Sequence, residues 1–167
     1  MTVEHYRLLF EHNAWANNRV VEQIAIVGYQ ARLQLAGLDL GNGSILETVV
    51  HMLGTEETWL ARCQGGTGPP LMTIEDAGTI AAIGERFKAQ ALKWQAMLGR
   101  LTDAGLDAIS TNTSPASGKV FSHPLWTRLS HVLSHSTQHR GELALATTRL
   151  GHSPGELDFL EYYEFHR

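Results

Sequence analysis

From Tyr6 onward apolar side chains recur at helical spacing. Tyr6, Leu9, Phe10, Trp15, Val20, Val21 and Ile24 predict a long first helix. Asn13 and Asn17 fall on the same stripe as Tyr6, Phe10, Val20 and Ile24. Inward amides need partners, so these two are either satisfied locally, line a polar pocket or bond across to another helix. Gly41-Asn42-Gly43 then breaks the chain, and Ser44 followed by Glu47 is a capping-box pair. It predicts a second helix running to about Gln64, before Gly65-Gly66 and the loop GGTGPP. A third helix is expected from a cap at Thr73, with Glu75 and Asp76 in its first turn, where carboxylates suit the helix dipole. Its seam, Ala77, Ile80, Gly84, Phe87, Ala91, Trp94, Leu98 and Leu101, alternates steps of three and four.

The helical period is lost over residues 107–123. Ser-Pro and Ser-Gly mark a turn between the extended runs ISTNT and KVFSH, which predicts a small hairpin or an irregular crossover. Pro124 suits the first position of a fourth helix, and Gly151 its close. Pro154 and LDFLEYYEF predict a short element packing back on the body. No repeat or linker interrupts this, so residues 1–167 form one domain of the all-α class. The expected architecture is a four-helix bundle with a long crossover, able to hold the hairpin, and a short C-terminal element.

Composition adds exclusions. A hydrophobic share of 43% with 18% charged residues is ordinary for a globular protein. A net charge of −4 and the lack of a basic run leave no electrostatic case for nucleic acid. No stretch approaches the ~20 apolar residues of a membrane span, and the N-terminus lacks a signal-peptide core. Cys63 is alone, which rules out an internal disulfide and points to a reducing, cytoplasmic setting. Nothing near Cys63 in sequence suggests a depressed pKa, so it reads as a small buried hydrophobe.

The nine histidines are the departure from the ordinary. His131, His135 and His139 stand four apart in LSHVLSHSTQHRGEL. On the wheel of the fourth helix, His139 lies about 40° from the apolar stripe, His135 about 80° and His131 about 120°. His135 and His139 can therefore face an interior, with His131 at its rim. An i, i+4 histidine pair can bind one metal, although solvated pairs with this spacing also arise by chance. A third ligand would have to come from elsewhere. His51 is the candidate, yet periodicity puts it beside Glu47, Gly54, Thr55 and Thr58, away from the apolar face of Leu46, Val49, Leu53 and Leu60.

The segments HSTQHRGEL, HMLGTEETW and EHNAWANNRVVE, taken together, resemble the DinB/YfiT-like family, in the right order and across essentially the whole chain. Where that family often has histidine before its last ligand, this chain has Gln138. The resemblance implies a four-helix bundle with one divalent metal, zinc or nickel foremost, held by His51, His135 and His139. It further implies a homodimer acting on a small-molecule substrate. Characterised relatives include S-transferases and an isomerase that use a low-molecular-weight thiol as cosubstrate. A metal-dependent thiol S-transferase is therefore the expected activity. A non-catalytic metal-binding bundle serving structure, storage or sensing is the alternative, and a metal-dependent hydrolase a third. If His51 turns inward, the apolar face around Met52 and Trp59 must be covered by other helices or a second subunit, which favours the dimer. Glu142 is expected to orient a ligand, bind solvent or form a surface ion pair. Arg140 is expected to attract an anionic substrate or pair with a carboxylate. Gly141 is expected to admit a close backbone.

Overall fold

The helices begin where side chains take over their orphan amide groups. Thr2 and His5, Ser44 and Glu47, and Thr73 and Asp76 each form a reciprocal capping box. In this computed structural model, which describes residues 1–114 and 117–167, α1 spans Val3–Val27 and is followed by a 3-10 turn at Gly28–Arg32. α2 (Ile45–Cys63), α3 (Ile74–Ala77), α4 (Ile80–Leu98) and α5 (Asp103–Leu106) come next. Strands β1 (Ile109–Thr113) and β2 (Val120–Pro124) lead into α6 (Leu125–Arg149) and α7 (Phe159–Phe165). The strands pair antiparallel, Ile109 opposite Pro124 and Thr113 opposite Val120, so of the two forms expected for the crossover it is the hairpin that is present. Pro115 and Ala116 of its turn lie outside the described residues.

The long helices close on one another in a ring: α1 packs on α4 and α6, and α2 packs on the same two. The interior divides into two hydrocarbon clusters. One centres on Val20, Ile24, Leu46, Leu53, Ile83 and Leu143, the other on Tyr6, Phe10, Leu60, Trp94, Leu129 and Val132. Between them each long helix buries polar side chains at the same level: Asn13 and Asn17 on α1, Glu56 on α2, Gln90 on α4, and Ser136 and Arg140 on α6. One oxygen of Glu56, Oε1, accepts from Asn13 Nδ2 at 2.8 Å, Asn17 Nδ2 at 2.9 Å and Ser136 Oγ at 2.9 Å. Arg140 donates to the side-chain oxygens of Asn13 and Asn17, and Gln90 donates to the backbone carbonyl of Glu56. The inward asparagines thus bond across to other helices.

The third helix departs from expectation. Thr73 caps only the single turn of α3; the chain breaks at Gly78, whose φ is 76°, and Thr79 caps α4 afresh. The buried stripe also shifts to Ile83, Phe87, Gln90, Trp94, Met97 and Leu98, leaving Ile80, Gly84 and Ala91 half-buried or more exposed. Pro124 precedes α6 as its N-cap rather than opening it. Gly141 admits no close backbone, since a Cβ there would meet nothing within 4 Å. Gly54 does have such a role: its Cβ would stand 3.2 Å from that of Met72 in the loop leading to α3. Met52 is wholly buried within the chain, so that part of the apolar face needs no second subunit to cover it.

The hairpin is fastened by Arg128 on α6. This buried guanidinium donates to the carbonyls of Arg62 at the end of α2, Ser110 in β1 and Phe121 in β2. Among the described residues no helix is long and apolar enough to cross a membrane.

Candidate metal centre

α2 and α6 bring His51, His135 and His139 together. Nε2 of His135 lies 3.2 Å from Nε2 of His51 and 3.2 Å from Nε2 of His139. The three rings stand with centroids 4.4–5.1 Å apart. They are the one group among the described residues whose ligand atoms could share a metal ion. His51 is half-buried, because the near edge of its helix, although polar in pattern, faces α6 here.

The donor set fits a cation. Nitrogens about 2.0–2.1 Å from a tetrahedral zinc stand about 3.3 Å apart, close to the separations present. The three nitrogens meet without an intervening carbonyl or carboxylate. With each ring neutral and its proton on Nδ1, three lone pairs converge, an arrangement that a cation relieves. Glu142 fixes that tautomer for His139, whose Nδ1 hydrogen-bonds its Oε2 at 2.6 Å. Gln138 in turn donates to the other oxygen of Glu142 at 3.1 Å, so the residue standing where the family often has histidine steadies the carboxylate behind a ligand. Nδ1 of His135 is buried without a partner among the described residues.

The electrostatics favour neutral imidazoles. Burial, then the neighbouring rings of His139, His51 and His131, push the pKa of His135 down to about 4. Burial and His139 lower that of His51. Neutral rings are the form that binds metal. His131 is exposed and lies outside the trio, packed at a tilt against Trp59 and neighbouring His135. A cleft of about 380 Å³ opens beside His51, lined by Glu47, Val50, Gly54, Thr55, Met72 and Glu75 among others, a size that suits a small molecule.

The remaining candidates separate clearly. Cys63 is buried, and burial raises its pKa to about 12, so it is no thiolate at neutral pH. Arg140 faces the buried polar level rather than the cleft, and burial lowers its pKa to about 10 against the opposing pull of Glu56. Glu56 and Arg128 were not legible as important residues; the signal for Glu56 was the pair of inward asparagines, which required an acceptor.

The chain matches the family model described as the DinB family over residues 1–166. No curated protein matches it.

Proposed function

The chain belongs to the DinB family, and from that membership we propose that it is a four-helix-bundle, metal-dependent transferase that activates a low-molecular-weight thiol. The observation that carries this reading is the convergence of three Nε2 atoms from two helices, 3.2 Å apart across His135. A divalent ion held there, with zinc or nickel the leading choices, would supply Lewis acidity that lowers the pKa of a coordinated thiol and makes it nucleophilic at neutral pH. Three protein ligands leave a position open, the pattern of a catalytic rather than a closed structural site. His51, His135 and His139 would hold the ion, and Glu142 keeps His139 oriented with its Nε2 lone pair directed at the site. The cleft beside His51 has room for a small electrophile. The lone, buried Cys63 takes no part, which leaves the nucleophile to come from solution; a lone cysteine also suits the cytoplasm.

Elemental analysis of the purified protein and of two variants tests the site. His51→Ala is expected to lose stoichiometric metal, whereas His131→Ala is expected to keep it; retained metal in His51→Ala would remove that residue from the site. Incubating metal-loaded protein with glutathione, bacillithiol or mycothiol and a generic electrophile tests the activity. Metal binding with no turnover for any thiol or for water would support the non-catalytic alternative, and turnover with water alone the hydrolase. The homodimer implied by the family resemblance belongs to the same proposal. A monomeric mass in solution would remove it without touching the metal site.

A further inference from the structure

We propose that Trp59, Arg62 and His131 form a seat for a carboxylate group beside the three histidines, a placement that rests on the preceding reading in treating those histidines as a ligand site. Trp59 and Arg62 lie three apart on α2 and so share a face. The indole of Trp59 stands 4.6 Å from the ring of His131, which stands 5.8 Å from the ring of His135. The Cζ atoms of Arg62 and Arg128 lie 4.9 and 5.9 Å from the Trp59 ring. Rings tilted by 46° and 59° to their neighbours therefore lead from His135 through His131 and Trp59 to two guanidinium groups.

The two guanidiniums differ in what remains open on them. Arg128 is buried and donates to three backbone carbonyls, so it contributes charge but little free edge. Arg62 is only half-buried, and among the described residues its side chain makes no hydrogen bond and no ion pair; its Nε is buried without a partner. The C-terminal end of α2 lends it partial negative charge, but among the described residues no carboxylate forms an ion pair with it or with Arg128. In a chain of net charge −4, this end of the site carries a local positive field. The cleft on the His51 side is the opposite: Glu47 and Glu75 line it, and no lysine or arginine does.

The site is therefore polarised along the α2–α6 groove, with acids at one end and guanidiniums at the other. A ligand that spans it places its anionic group at Arg62. Stacking on Trp59 restrains the guanidinium, and a single available fork matches a planar carboxylate through two parallel N–H···O bonds.

Succinate is the probe, with uncharged succinamide as control, titrated calorimetrically into the full chain both metal-free and zinc-loaded. Succinate is expected to bind the metal-free protein and succinamide not to bind. Arg62→Gln is expected to weaken succinate about tenfold or more, and Arg62→Lys to recover part of the loss, because it restores charge without the fork. Circular dichroism checks that both variants fold. Equal succinate affinity in the wild type and Arg62→Gln, or no binding by the wild type, would overturn the proposal. Mercaptosuccinate identifies the carrier of the carboxylate. Tighter binding than succinate only in the zinc-loaded protein assigns it to the thiol; equal binding assigns it to the electrophile. Because the first titration needs no metal, a chain that binds succinate but takes up neither zinc nor nickel would sink the metal reading and leave this seat standing.

Discussion

At the scale of single residues, the chemistry depends on how protons are held around three rings. Glu142 is the handle on His139. Glu142→Gln keeps the size and one acceptor but loses the charge that favours Nδ1–H, so metal affinity is expected to fall about 10–100-fold, measured by competition with a chelator. His135 gives a second prediction. In the unfolded chain its pKa returns to the ordinary 6.5, whereas burial and its neighbours hold it at about 4 in the folded one. Between those values the unfolded chain binds a proton that the folded chain does not. The stability of metal-free protein should therefore be fully present above about pH 6.5 and decline as the pH falls toward 4. The lowered pKa of His51 acts in the same direction. Urea midpoints measured across this range should slope less in His135→Gln.

At the scale of elements, the starts of α2 and α3 were legible because caps are local chemistry. Ser44 with Glu47 predicted the start of α2, and the pair forms both of its hydrogen bonds. The break at Gly78 was not legible, since the apolar seam continues through Ala77 and Ile80 as if the helix did. The orientation of His51 was half legible. Periodicity reports the face a helix turns to hydrocarbon, and a polar site at the seam between two helices lies at the edge of that face. The sequence offered His51 as the candidate third ligand, periodicity turned it away from the apolar face, and the family resemblance put it in the ligand set. Arg128 went unnoticed for a different reason: an arginine beside Leu125 and Leu129 looks misplaced until the hairpin carbonyls that accept from it are known. Arg128→Met should leave those carbonyls without their donor. The expected cost is about 1–3 kcal/mol by urea denaturation, with faster amide exchange concentrated in β1 and β2.

At the scale of the whole molecule, the polar level between the hydrocarbon clusters joins all four long helices through Glu56 and its partners. Glu56→Ala removes the acceptor for three side chains and leaves the buried Arg140 without its opposing charge. A loss of about 3–5 kcal/mol is expected by denaturant titration. Glu56→Gln, which retains an acceptor, is expected to lose less. The position of this level has a further consequence. If α2 slid one turn, about 5.4 Å, its leucines would still meet oily neighbours, but Glu56 would face hydrocarbon. Glu56 therefore works as a ruler: it meters the distance along α2 at which His51 arrives opposite His135. Loops and ends can lengthen or shorten without changing that measurement.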